Sequence, residues 1–472
     1  MTTVTGAALC CAPDLAFPRM NPSQDPDAQA AAADGLMHRR YRALTTGIVA
    51  LMTLIAFEYF AVATAMPAVA RALDGLRLYP LAFGAPLAAS VIGMVLSGHV
   101  SDRRGPALPL FSGVFVFVTG LLLAGAAPTM ALLILGRLLQ GLGGGMLTVS
   151  LYVMVARGYP PALHPRIFAV FAAAWVLPVI VGPLVAGLIV DHFGWRWVFL
   201  AAALLAPPAA LLVRLGLPRQ SLPAPQPATT TPGRIGWALG AAASAGLMYW
   251  GGQQHGAGLL LMALALAGLL LTAPPLLPAG TLRLARGLPT VVALRGFAAA
   301  SFFACEIYIP LMFAGERGLS LTQAGLVLTV GALGWSAASW WQSQPGRPQG
   351  VPLLRRGMAL IAGGILVVMS LLWPTMPMLF CIAGWIAAGV GMGLVFPQLS
   401  VLTLRLSEPA QQGRNSSALQ LSDALFSTTA LALSGALFAT LSALSPVLAY
   451  ALCLAFAALL GLVGFVAARR AA

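Results

Sequence analysis

The strongest constraint in this chain is a succession of apolar runs, each about as long as a bilayer is thick. A helix needs about 20 apolar residues to cross the hydrocarbon core. Runs of that kind lie near 44–70, 79–100, 107–127, 130–156, 167–190 and 196–214. Two more follow near 235–251 and 257–277, and six near 289–314, 319–343, 358–374, 377–404, 415–440 and 445–467. Fourteen spans are therefore expected. The charge content agrees: only 8% of the 472 residues are charged, against roughly 25% in soluble proteins. Too few charges remain to coat a water-facing surface, so lipid is the solvent for most of this chain.

All 26 basic residues are arginine. Most of them sit in the tail or in short loops between apolar runs, so the net charge of +14 does not point to a nucleic-acid partner. Basic residues favour cytoplasmic loops. With the N-terminus inside, alternation places Arg39, Arg40, Arg42, Arg103, Arg104, Arg157, Arg166, Arg214, Arg219 and Arg234 inside. Arg283, Arg286, Arg347, Arg355, Arg356, Arg405, Arg414, Arg469 and Arg470 follow the same side. The outer loops keep only Arg71, Arg77, Arg196 and Arg317. Both termini are thus expected in the cytoplasm, in a multi-pass protein of a bacterial inner membrane. The five cysteines, Cys10, Cys11, Cys305, Cys381 and Cys453, show no metal-site spacing and imply no disulfide framework. No cofactor or metal is expected.

Residues of the first half recur 248 positions later: Glu58 and Glu306, Gly98 and Gly346, Arg157 and Arg405, Arg166 and Arg414, Gly187 and Gly435. Gly141, Gly143 and Gly145 likewise map to Gly389, Gly391 and Gly393. The chain divides into a disordered cytoplasmic tail (1–42), a six-helix bundle (43–214), a cytoplasmic linker (215–234), an inserted two-helix hairpin (235–277) and a second six-helix bundle (278–472). Two repeated halves around an axis normal to the membrane suit an alternating-access transporter.

Four segments carry a resemblance. Gly98-His99-Val100-Ser101-Asp102-Arg103-Arg104-Gly105 follows the second run. Arg137-Leu138-Leu139-Gln140-Gly141-Leu142-Gly143 lies in the fourth. Pro178-Val179-Ile180-Val181-Gly182-Pro183-Leu184-Val185-Ala186-Gly187 lies in the fifth. Phe57-Glu58-Tyr59-Phe60 through Pro67 lies in the first. The first of these is similar to the G-x-L-A-D-R-x-G signature of the major facilitator superfamily. The second resembles its R-x-x-Q-G-x-G pattern. The third resembles its antiporter motif, with Pro178 and Ala186 in place of two glycines. The fourth resembles the first helix of fourteen-span drug:proton antiporters, with Glu58 at the aspartate position. The resemblance implies an all-α membrane protein of the major facilitator fold, with two six-helix bundles plus the hairpin. It implies a gating role for Gly98, Asp102, Arg103 and Gly105, and export chemistry around Pro178, Gly182, Pro183 and Gly187. It also implies a role for Arg137 in proton handling or gating.

Three acids fall within spans: Glu58, Glu306 and Asp423. An ionised carboxylate in the bilayer core is costly, and removal from water favours the neutral form of a carboxyl. Such a group can take a proton on one side of the membrane and lose it on the other. Glu58, Glu306, Asp423 and Arg137 are therefore the candidate proton-coupling residues. Aromatic residues expected along a central cavity are Tyr59, Trp175, Phe303, Tyr308, Trp335 and Trp385. Aromatic faces together with acids suit amphipathic, often cationic, ligands. The expected function is proton-coupled export of small amphipathic compounds by a monomer. A dedicated exporter of one endogenous metabolite, such as a siderophore or antibiotic, is the alternative, and a proton-coupled uptake symporter is the third reading. Trp340 and Trp341 read as interfacial anchors, and Arg295 as a residue that snorkels to the cytoplasmic face. Enzyme chemistry has no motif to stand on.

Overall fold

The computed structural model describes residues 35–75, 78–217, 233–252, 254, 257–319, 321–442 and 444–471. Most of the tail and linker, with Cys10, Cys11 and Arg219, lies outside the described residues, as does Arg77. Among the described residues the regular structure is helical throughout, with no strand.

The first half comprises α1 (Arg42–Ala72), α2 (Tyr79–Arg104), α3 (Ala107–Gly125), α4 (Met130–Gly158), α5 (His164–Phe193) and α6 (Arg196–Gly216). Helices α7 (Arg234–Gly251) and α8 (Gly258–Thr272) form an antiparallel pair. The second half holds α9 (Leu288–Glu306), α10 (Ile309–Arg317), α11 (Leu321–Gln342), α12 (Val351–Met369), α13 (Met378–Arg405), α14 (Gln412–Ser442) and α15 (Pro446–Ala467). One hydrophobic core lies within the second half, while that of the first half continues through α7 and α8 into α9, α13 and α14. The halves meet where α2 packs along α14 and α5 along α11.

Every apolar run of the sequence is a helix, but the span count comes out differently. Among the described residues twelve helical segments are long and apolar enough to cross a membrane. The two apolar runs not counted among them are α7 and α11. The expected count of fourteen therefore does not follow from length and apolarity alone.

The repeat has a packing cause. A Cβ on Gly141 of α4 would collide with the Pro86 carbonyl of α2, and one on Gly389 of α13 with the Gly331 carbonyl of α11. Gly143 and Gly391 are pressed in the same way against α3 and α12. Small residues let membrane helices cross backbone to backbone. The same two crossings recur in each half at the same offset, which is why these glycines repeat.

One span is interrupted. Helix α9 stops at Glu306, Ile307 and Tyr308 form a turn, and α10 resumes at Ile309. Pro310 has no N–H to offer the carbonyl four residues back, which belongs to Glu306. The break thus falls on the one acid of this span's interior. The hairpin lies against α2 of one half and also touches α14 of the other.

Candidate functional site

The three acids within the spans occupy three different environments. Glu58 is 8% exposed and forms an ion pair with Arg137, itself 5% exposed. Arg137 Nη1 also donates to Gln140 Oε1 at 3.0 Å, and Nε donates to the Ala82 carbonyl at 3.1 Å. A guanidinium this deep in a membrane needs its donors filled, and α1, α2 and α4 supply an acceptor each.

Asp423 is paired too. Arg295 Nε donates to Asp423 Oδ2 at 2.9 Å. The guanidinium lies 3.6 Å from the centroid of the Phe396 ring, with the Phe396 carbonyl, Ser400 and Gln420 at 3.4–3.5 Å. The Tyr152 side chain of α4, from the other half, lies beside it. This corrects the snorkelling expectation for Arg295, which is buried. Its partner stands 128 positions away, so sequence separation concealed the pair. The available signal was Asp423 itself, since a buried carboxylate calls for a cation.

Glu306 differs. Among the described residues it has no hydrogen bond and no ion pair. It is half-buried, and it lies within electrostatic range of Tyr59 across the junction of the halves. Tyr59 is 53% exposed, and its ring stands 6.4 Å from that of Trp175, with Phe60 packed edge-on to both. Glu306, Tyr59 and Trp175 therefore bring an acid and two accessible rings together from α9, α1 and α5.

The remaining expected wall residues divide. Phe303 and Trp335 are half-buried around Phe302, at ring distances of 5.7 and 5.5 Å. Tyr308 and Trp385 are buried inside the second half and do not line an open wall. Ser434 Oγ donates to the Tyr308 hydroxyl at 2.9 Å, and Trp385 stacks on Phe302 at 4.4 Å. An aromatic residue inside a span says nothing by itself about which way its ring points. Of the two expected anchors, Trp340 is exposed, while Trp341 carries the Arg347 guanidinium over its ring at 4.7 Å.

At the arginine-rich end, Asp102 joins the two halves. Its Oδ1 accepts from the Gly413 N–H at 2.6 Å and its Oδ2 from the Arg414 N–H at 2.8 Å. These are first-turn amides of α14, unpaired within their own helix and at its positive end. Arg157 stands 3.9 Å from the same carboxylate and donates to the Pro409 carbonyl at 3.4 Å. Gly98 and Gly413 permit the approach, since a Cβ on Gly98 would lie 2.7 Å from the Gly413 carbonyl oxygen. Gly105 closes α2 with φ +81°, a left-handed conformation that suits glycine. Arg103 is exposed.

In α5, Pro178 and Gly182 are buried, and Gly182 faces Phe60 of α1. Gly187 has open space where its side chain would be, so no close helix contact requires a glycine there. An apolar crevice of about 400 Å³ lies between α2, α4 and the hairpin, lined by Leu81, Ala85, Ile92, Leu138, Ala242 and Trp250 among others, none of them charged. It is not an ion site.

Comparison with known proteins bears on the whole arrangement. The profile described as Major Facilitator Superfamily matches residues 48–425. Multidrug transporter protein MdtP of Bacillus subtilis is 27% identical over 377 residues, covering 77% of this chain and 69% of that protein. Multidrug resistance protein B homolog of Mycobacterium tuberculosis is 35% identical over 123 residues, covering 26% of this chain and 23% of that protein. Among solved structures, the human organic anion transporter MFSD10 superposes with a TM-score of 0.70 at 15% identity, covering 90% of this chain and 99% of that one.

Proposed function

This chain belongs to the Major Facilitator Superfamily, and from that premise we propose that it exports small amphipathic, cationic compounds in exchange for protons. It is a multi-pass membrane transporter by family and fold, not an enzyme. Efflux is supported by the multidrug relatives. The exchange with protons is our reading of the site. The observation that carries it is Glu306, a carboxyl in a broken span, without a cation of its own among the described residues, beside the accessible rings of Tyr59 and Trp175.

The cycle follows from charge. In the ionised form Glu306 attracts a cationic substrate, while the aromatic faces hold its apolar body. A proton arriving from outside neutralises the carboxyl, removes that attraction and releases the substrate outward. Loss of the proton to the cytoplasm restores the anion for the next load. One cation leaves and one proton enters at the same group, so the buried charge never needs a second carrier.

The remaining features are assigned within this reading. The arginine-rich end is cytoplasmic by the positive-inside rule, with both termini on that side of a bacterial inner membrane. The Asp102 contact to α14 then closes the inner side, so the conformation faces outward. The hairpin crosses the bilayer and completes fourteen spans, as in the drug:proton antiporters, and the monomer is the transporting unit.

The test is flux in proteoliposomes under an imposed pH gradient, with a fluorescent organic cation such as ethidium. Native protein should drive uptake against its gradient, and Glu306→Gln should not. Native flux indifferent to the pH gradient would remove antiport.

A further inference from the structure

The two halves use the same position for opposite purposes. Glu58 and Glu306 are related by the 248-residue repeat, and so are Arg137 and Trp385. In the first half the residue at this place on the fourth helix pairs with the acid. In the second half the same place on α13 holds an indole. Trp385 is 1% exposed, and its Nε1–H points to the Leu328 carbonyl at 3.4 Å. Its ring stacks on Phe302, one helical turn before Glu306 and on the same face of α9. Gly331 makes the room, because a Cβ there would collide with the indole.

We infer that Trp385 is a positioning residue that keeps Glu306 free, so the exchanged cation is taken at Glu306 while Glu58 serves as a fixed counter-ion. This deepens the antiport reading and rests on it for its function. The assignment of charge states, however, is independent of transport. The groups facing Glu306 support it. Tyr59 of α1 is neutral, Cys305 adjoins Glu306 on α9, and the Glu58–Arg137 pair beyond Tyr59 is internally balanced. Of the arginines on Glu306's own span, Arg295 of α9 is held by Asp423, and Arg317 of α10 donates to the carbonyls of Leu371, Trp373, Pro374 and Met376. Glu316, on α10, is the remaining acid of this span. Among the described residues no cation from any of these elements is committed to Glu306. The repeat-related place that would supply one is filled by an aromatic ring.

The experiment reads carboxyl protonation directly, by infrared difference spectroscopy of the purified full-length protein in lipid while pH is stepped. One protonated-carboxyl band should titrate in native protein. It should vanish in Glu306→Gln and survive in Glu58→Gln. In Trp385→Arg the band should be lost, because a guanidinium now holds the carboxylate. In Trp385→Phe, which keeps a ring, it should remain. Persistence of the band in Glu306→Gln, or its loss in Glu58→Gln, overturns the division of roles. Persistence in a folded Trp385→Arg overturns the part given to Trp385. If Trp385→Arg does not fold, Trp385→Lys decides the same point: a smaller cation at that place must also abolish the band. A titrating Glu306 in a protein whose flux ignores the pH gradient would refute antiport and leave the assignment of charge states standing.

Discussion

Asp102 at the end of α2 accepts the Gly413 N–H at the start of α14 at 2.6 Å, and through that contact one half of the molecule holds the other. The bond has two sources of strength. The acceptor is a carboxylate, and the donor is an amide that its own helix leaves unpaired. A second amide, that of Arg414, completes a two-point grip at 2.8 Å. In the proposed alternating-access cycle, opening this end would require both bonds to break together.

Asp102→Ala should therefore shift the molecule toward the state open at this end. Hydrogen bonds to charged groups are worth about 1.5–3 kcal/mol each, so losing the carboxylate should raise the open population by at least about tenfold. Labelling of a cysteine placed at Ser407, buried in the connection between α13 and α14, by a maleimide supplied from that side, should accelerate accordingly. An unchanged labelling rate would show that the contact carries no gating energy.

Gly413→Ala tests the same junction by volume rather than charge. Its Cβ would sit 2.5 Å from the Gly98 carbonyl oxygen and 2.7 Å from Asp102 Oδ1. The Gly98 backbone cannot yield without moving a helix. Spin labels on α2 and α14 at this end should report a longer mean distance than in native protein, even though Asp102 is intact. A native distance distribution would mean that the helices tolerate the methyl group.

Arg137→Ala should destabilise the protein more than the double change Glu58→Leu/Arg137→Leu. Removing one member of a buried pair strands a charge, at a cost of about 3–5 kcal/mol, whereas replacing both by apolar groups is often close to neutral. Melting of native protein and of these two variants in detergent measures it. Equal losses for the single and double variants would mean that Glu58 finds another partner.

How far the sequence revealed this molecule depends on the range of each interaction. Apolar length is local, so every run from Arg42 to Ala467 could be placed as a helix before any coordinate was known. The glycine repeat was visible because Gly141 and Gly389 serve the same crossing. The pairs were not visible. Glu58 and Arg137 lie 79 positions apart, and Arg295 and Asp423 lie 128 apart. Nothing in either neighbourhood names the partner. Ring direction was hidden for a different reason. A membrane helix is apolar on all sides, so its pattern does not separate the buried faces of Tyr308 and Trp385 from the open face of Tyr59.

The hairpin sets the last expectation, since whether it crosses the bilayer decides between twelve and fourteen spans. Helix α7 has 18 residues and so extends about 27 Å. Helix α8 has 15, about 22 Å, prolonged by the three-residue turn Pro274–Leu276 at about 2 Å per residue. Both lengths approach the hydrocarbon thickness of about 30 Å. Arg234 opens the hairpin, Arg283 follows it, and its described interior carries no charge. A cysteine replacing Gly252, between the two helices, should be labelled on intact cells by an impermeant maleimide, in a background without native cysteines. A cysteine replacing Ala285, beyond the hairpin, should react only after permeabilisation. If both positions need permeabilisation, the hairpin does not cross. The protein then spans the membrane with its two six-helix halves alone, with α7 and α8 packed from the cytoplasmic side.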